Sequence, residues 1–309
     1  MQIIDNYVTK LIENLPKNKK IEDINIILDG GIFNGSYLIG ALYFLKEMEK
    51  QNYIKIHKIS CCSIGSVCAI LYCIDALDLM PELYEIILKQ MKTHHNFNVF
   101  NICFEKIKER INKNEDICKK INNRIYITYY NIKKQKKIIK SKYRNIEELF
   151  DIIYRSCFIP IILNGDLLYK KKYFDGITPY ILPFEPTKKL LYLELFGLDK
   201  INYLISVTNE KTNIHRILSG LLDIHLFFIK NSNTQMCSYI NKWSLYNIFY
   251  TQFIKKNIEL LIVYVLYFSY YLNSYIYILN IQKNKNIIFI LLTKIIKEIY
   301  ICLINYYCF

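Results

Sequence analysis

Between residues 24 and 77 the chain alternates short β-branched runs with helical patterns, and each change from one to the other takes only a few residues. INIIL (24–28) reads as a strand, DGGIFNG (29–35) as a glycine-bearing loop, and SYLIGALYFLKEMEKQ (36–51) as a helix with Leu38, Leu42 and Leu45 at helical spacing. KISCC (58–62) is the next strand. After Ser63, IGSVCAILYCIDAL (64–77) begins at once as a helix too apolar to lie on a surface. Strands and helices alternating at this spacing predict an α/β sandwich with a mainly parallel sheet. They also put both loops at the carboxyl ends of strands, where open α/β sheets build their sites.

Past Pro81 a more polar helical region reaches about Lys120. RIYITYY (124–130) alternates like a strand, KKQKKIIK (133–140) is a basic turn into another, and NIEELFDIIYRSCF (145–158) is helical until Pro160. LYKKKYFDG (168–176) is strand-like and ends on an Asp-Gly turn, and LLYLELF (190–196) closes the α/β portion. The expected organisation is a lead-in over 1–20, an α/β domain over 21–200 and a helical, hydrophobic C-terminal region over 201–309. Within that last region, Leu260 to Ile281 gives 22 residues without a charge, long enough to span a bilayer, yet six of them are tyrosines and Asn273 and Asn280 interrupt it. Two readings stand: a packed or amphipathic helical appendage, and a transmembrane helix. Beyond it, Lys294, Lys297 and Glu298 fall on one helical side.

Composition removes other classes. Over 309 residues, 52% hydrophobic content supplies a full core and excludes a disordered chain. The net charge of +14 suits anionic partners such as a phosphate-rich membrane, although the abundance of Ile, Lys, Asn and Tyr is also the mark of AT-rich coding. The lysine runs match no nucleic-acid module, so no nucleic-acid partner is expected. Ten cysteines show no metal-ligand spacing. The N-terminus lacks a secretory pattern, so the expectation is reduced thiols on the cytoplasmic side, with Cys68, Cys73 and Cys118 packed as small apolar residues.

Ser63 stands between a strand and a helix with a small residue two places away on each side, Cys61 before and Gly65 after. That is the nucleophile-elbow arrangement, in which glycine is usual at both flanks, so Cys61 implies some strain. The competing reading makes Ser63 a helix N-cap. The upstream loop, Gly30 to Gly35, also joins a strand to a helix, and its backbone N–H groups converge where the helix dipole favours a developing oxyanion. No histidine lies in a motif near Ser63. Asp175 at a strand end can take the serine proton if poor solvation raises its pKa. A Ser63–Asp175 triad completed by His215 or His225 remains the other enzymatic arrangement.

In order, these segments resemble the patatin-like phospholipase family. GGIFNGSYLIGAL keeps Gly30, Gly31, Gly35, Gly40 and Leu42 of its glycine loop and helix, CCSIGS keeps Ser63 and Gly65, RSCFIP keeps Ser156 and Pro160, and Asp175 keeps the aspartate of its Asp-Gly-Gly turn. The similarity spans about residues 21 to 195. It implies a three-layer sandwich and a lipid acyl hydrolase acting on phospholipid or another lipid ester at a membrane surface, without metal or organic cofactor. Ser63 would attack the ester carbonyl and Asp175 would carry the proton. Gly30, Gly31, Ile32, Asn34 and Gly35 would form the oxyanion loop. Four positions depart from the pattern: Ile32, Cys61 and Ile177 stand for glycines and Asn34 for an arginine. The loop keeps its donors provided Ile32 avoids positive φ. The departures leave a second implication open, a catalytically weak or dead lipid-binding or membrane-scaffolding protein.

Overall fold

Four strands run parallel at the centre of one sheet, and antiparallel strands close both its edges. The computed structural model describes residues 2–16, 21–111, 116–197, 204, 206–207 and 210–278, with the single positions 294, 298, 302 and 306. Its first half contains α1 (Gln2–Glu13), β1 (Glu22–Leu28), α2 (Gly35–Lys50), β2 (Ile54–Cys62), α3 (Ile64–Cys73), α4 (Met80–His94), α5 (Phe100–Glu109) and α6 (Ile117–Ile121). Then come β3 (Ile125–Asn131), β4 (Lys136–Lys140), α7 (Ile146–Ser156), β5 (Tyr173–Asp175) and β6 (Lys189–Leu193). The remainder is α8 (Ile214–Lys230), β7 (Cys237–Tyr239), α9 (Leu245–Phe249) and α10 (Lys256–Ile278).

The seven strands lie in the order β4-β3-β2-β1-β6-β7, with β5 also paired to β3. The pairs β1–β2, β2–β3 and β1–β6 are parallel, whereas β3–β4, β3–β5 and β6–β7 are antiparallel. Side chains from one face, among them Ile24, Ile26, Leu28, Cys61, Ile127 and Leu193, enter a core completed by α1, α2, α3, α7 and α8. The other face is smaller: Ile27, Leu190 and Tyr192 lie under Leu182, Tyr180, Ile181, Ile240 and Trp243. The helical segment 250–278 reaches this face, its Lys255 Nζ 3.3 Å from the Tyr192 hydroxyl, and the rest of the cover is an extended strap. The reason is in the sequence, since Pro179, Pro183 and Pro186 remove backbone donors and push their neighbours away from helical angles.

Residues 210–239 do not form a separate helical region. β7 extends the sheet at β6, and α8 crosses α2 so closely that a Cβ at Gly40 would lie 1.8 Å from Ile217 O and one at Gly220 2.0 Å from Tyr37 O. Only glycine permits that approach. The lead-in is also built in, with Val8, Ile12 and Leu15 buried in the main core. LYKKKYFDG is not one strand: Lys170 and Lys171 adopt φ of 48° and 56°, the chain reverses so that Tyr169 faces Tyr173, and only Tyr173–Asp175 joins the sheet. The nine described cysteines are free thiols, eight of them buried. Among the described residues no helix is long and apolar enough to cross a membrane; residues 279–281 of the uncharged run, and most of 287–309, lie outside them.

Candidate active site

β3 brings Ser63 and Asp175 together by pairing with two strands end to end. Its first half pairs with β2, which stops at Cys62 opposite Thr128. Its second half pairs with β5, which stops at Asp175 opposite Tyr129. One strand ends where the other ends, so adjacent residues of β3 face the residue before the serine and the aspartate itself. The Ser63 side chain adjoins the Asp175 carboxylate and acts to lower its pKa.

Ser63 adopts φ 50° and ψ −133°, and its side chain makes no capping bond to α3, so its hydroxyl is not spent as an N-cap. A non-glycine residue in such a conformation costs about 1–3 kcal/mol and persists only when its surroundings over-determine it. Here the restraints are visible. The Ser63 N–H donates to Ser156 Oγ (2.9 Å), which itself donates to Thr128 O (2.7 Å), and Ser63 O accepts from Ser66 Oγ (2.6 Å) and Ser66 N–H (2.9 Å). At plus-two, a Cβ on Gly65 would stand 2.7 Å from Asp29 O and 2.9 Å from Leu28 O. Cys61 does not carry the strain expected of it. It lies in regular register with Leu28 and Ile127, fully buried, with Sγ 3.5 Å from Tyr126 O.

The strain sits instead at the two flanking loops. Ile32 adopts φ 43° and Ile177 φ 59°, the left-handed region that glycine occupies freely and a β-branched residue resists. The condition placed on Ile32 is therefore not met. Both isoleucines replace a glycine of the pattern that the sequence resembles, so the backbone keeps the glycine conformation without the glycine.

The expected oxyanion set divides. Gly30 N–H donates to Asp29 Oδ1 (3.1 Å), Asn34 N–H to Gly31 O (2.8 Å), and Gly35 N–H to Ile32 O and Phe33 O. These three residues build the loop rather than face a ligand. The N–H groups of Gly31 and Ile32 meet no acceptor among the described residues. Gly30 itself packs against Ser63, since a Cβ there would lie 3.1 Å from Ser63 Cβ and 3.5 Å from Ile177 O. The loop thus touches Ser63 and the Asp175 turn at once.

Burial pushes the Asp175 carboxyl up from 3.8 to about 6, against the nearby Ser63 hydroxyl, the Ile177 N–H and the charge of Lys137. Its Oδ1 accepts that N–H at 2.7 Å, and only 8% of the residue is exposed. A carboxylate of this kind is ionised at neutral pH yet basic enough to share a hydroxyl proton. Beside Ser63 opens an apolar cavity of about 40 Å³, lined by Ile32, Phe33, Ile64, Met80, Phe97 and Ile159 among others.

The histidines stand elsewhere. His215 faces Glu210 at 3.4 Å, His225 packs edge-on against Phe44, and His57 pairs with Asp23. Among the described residues no cluster of His, Cys, Asp and Glu side chains is placed to hold a metal ion.

Three buried charges at the site carried no signal in the sequence. Arg216 of α8 is fully buried and donates from Nη1 to Asn34 Oδ1 (2.8 Å), while its Nη2 reaches Glu210 Oε1 (2.7 Å) and Ser206 O (2.8 Å). A guanidinium therefore reaches the loop position where an arginine was expected, from another element. Lys255 ion-pairs with Asp29 Oδ2 (3.0 Å) and Glu194 Oε1 (2.7 Å). Glu259 accepts from Lys137 Nζ (3.0 Å), the Tyr130 hydroxyl and Thr178 Oγ1. Lys137 belongs to the basic run KKQKKIIK (133–140), so that run is not wholly a solvent-facing surface.

Compared with protein-family models and with curated proteins, the sequence matches none.

Proposed function

We propose that the chain is a serine acyl hydrolase of the patatin-like type, cleaving carboxylic esters of a lipid or phospholipid. The observation that carries this reading is the end-to-end meeting of β2 and β5 on β3, which sets a strained, uncapped Ser63 against a buried Asp175 whose pKa lies near 6. In the reaction Ser63 Oγ attacks the ester carbonyl as its proton passes to Asp175, and the Gly31 and Ile32 N–H groups receive the oxyanion. Asp175 then gives the proton to the leaving alcohol, and water reverses the sequence to free the acid and regenerate Ser63. The apolar cavity at Ser63 fits one end of an acyl chain and grips it without polar contacts.

The membrane is the proposed partner. Leu245, Phe249, Phe253, Leu261, Tyr264 and Phe268 of α9, α10 and the turn between them are exposed, and so are Lys133, Lys134 and Lys136 on the β3–β4 hairpin. Aromatic and apolar side chains beside lysines suit a peripheral seat on an anionic leaflet, on the cytoplasmic side. The 245–278 segment would then be the hydrophobic appendage of a patatin-like core.

A second reading, a lipid-binding or scaffolding protein with a failing site, draws on the isoleucines at φ 43° and 59° and on the narrowness of the cavity. Fatty-acid release from phosphatidylcholine–phosphatidylserine vesicles separates the two. Hydrolysis by wild type and none by Ser63→Ala or Asp175→Asn supports the hydrolase; vesicle binding with equal, background release from all three supports the scaffold.

A further inference from the structure

We infer that the helical turn leading into α10 clamps both loops of the candidate site, Lys255 holding the Gly30 loop through Asp29 and Glu259 holding the Asp175 turn through Thr178. The two are positioning residues for the oxyanion donors and the base. Their kinetic consequence rests on the hydrolase reading; the clamp itself does not.

The geometry is specific. Lys255 ends a π-helical turn (Tyr250–Lys255) and Glu259 follows four residues later, so both project from one side of the chain toward the sheet. Each is almost wholly buried, at 4% and 6% exposure. Buried charges stay only where paired, so the helix start seats fully when both partners are in place. Burial works against the Lys255 charge, yet Asp29, Tyr192 and Glu194 raise its pKa well above that of a free lysine.

Each partner lies next to a group that the chemistry would use. Asp29 spends Oδ2 on Lys255 and on the Leu195 and Phe196 N–H groups, and Oδ1 on the N–H of Gly30, which adjoins the free N–H groups of Gly31 and Ile32. Thr178 stands three residues after Asp175, its N–H bonded to Gly176 O (2.6 Å) and its Oγ1 held by Glu259 and by Lys137 (2.7 Å). A single helical turn therefore grips both halves of a site whose Ile32 and Ile177 favour another backbone conformation.

Two measurements on the full chain test the clamp. The first is peptide-resolved amide exchange of wild type, Lys255→Met and Glu259→Gln. The expected result is about tenfold faster exchange over 29–35 in the lysine variant and over 175–178 in the glutamate variant, each leaving the other loop near wild type. If Lys255→Met does not fold, Asp29→Asn/Lys255→Met removes both charges and serves in its place. Exchange that is unchanged, or raised equally across both loops and the sheet, overturns the clamp.

The second is the pH profile of p-nitrophenyl butyrate hydrolysis. Asp175 is faced by Ser63 and Cys62 from the end of β2, Cys157 after α7, Lys137 from β4 and Glu259 from α10. Losing the Glu259 charge leaves Lys137 unopposed, so the ascending limb of kcat/KM moves to lower pH. kcat falls about tenfold while KM changes less than about twofold. A helix that merely docks would lower Tm and leave the limb in place, and that result also counts against the proposal. Should wild type show no esterase activity, the hydrolase reading falls and the exchange experiment still decides the clamp.

Discussion

The nucleophile elbow and the two loops beside it face the same demand, a left-handed backbone at the end of a strand, and meet it differently. At the elbow the strained residue is the candidate nucleophile, Ser63, and Gly65 is kept where a side chain would strike Leu28 O and Asp29 O. In the flanking loops, Ile32 and Ile177 hold φ of 43° and 59° with a β-branched side chain. The elbow is secured by neutral hydrogen bonds, with Ser66 in the first turn of α3 and with Ser156 at the end of α7. The loops are secured by buried charged side chains, Arg216 on Asn34, Lys255 on Asp29 and Glu259 on Thr178. Strain that a glycine would have removed by residue choice is here held by tertiary contacts of buried charges.

The comparison breaks first at the chemistry. Asp175→Asn should lower ester turnover by roughly two to four orders of magnitude, read as kcat on a soluble ester. The same change should stabilise the fold at high pH. The carboxyl titrates near 6 when buried against 3.8 ordinarily, so the native state holds the proton more tightly. Its contribution to stability is intact below about pH 4, fades as pH rises to about 6 and then stays about 3 kcal/mol lower. Thermal melts should show a gain for Asp175→Asn at pH 8 and none at pH 3.5. An equal gain at both would mean that burial does not set this pKa.

Gly65→Ala attacks the elbow. Its Cβ meets backbone oxygens that cannot turn aside, so a loss of about 3 kcal/mol and of most activity is expected from denaturant titration and assay. Cys61→Gly is smaller. The strand is regular there, so glycine leaves a void and weakens β2 by about 2 kcal/mol without raising turnover; a faster enzyme would return the strain to Cys61. Smallest is a reversal of sign at the loops. In ordinary strand or helix positions alanine is more stable than glycine by roughly 0.5–1 kcal/mol. At 32 and at 177 the glycine variant should be the more stable of the two, because both lose the same isoleucine contacts and only glycine relaxes the positive φ. Alanine winning at both would remove the argument that these loops are strained.

Much of the first half was legible. β1, α2, β2 and α3 fall where β-branched runs and helical spacing put them, because each segment's local preference agrees with its burial. What escaped was non-local. β5 and β7 span three residues each, too few to show a period, and pairing with β3 or β6 makes them strands. Lys170 and Lys171 look like the middle of a strand and form a turn instead. For the candidate site, Ser63 and Asp175 could be singled out by their motifs. That Gly30, Asn34 and Gly35 would spend their N–H groups on the loop itself could not. Nothing in the sequence singled out Arg216, Lys255 and Glu259 as buried, since burial of a charge is decided by partners distant in sequence.

The proposed hydrolase stands or falls with Ser63 as a nucleophile activated by Asp175. Intact-mass measurement after fluorophosphonate treatment, with peptide mapping and a pH series, tests it most directly. The account predicts one adduct per chain, on Ser63, absent in Ser63→Ala, with a labelling rate that rises through about pH 6 in wild type and loses that inflection in Asp175→Asn. No adduct, or an adduct elsewhere that survives Ser63→Ala, would contradict it.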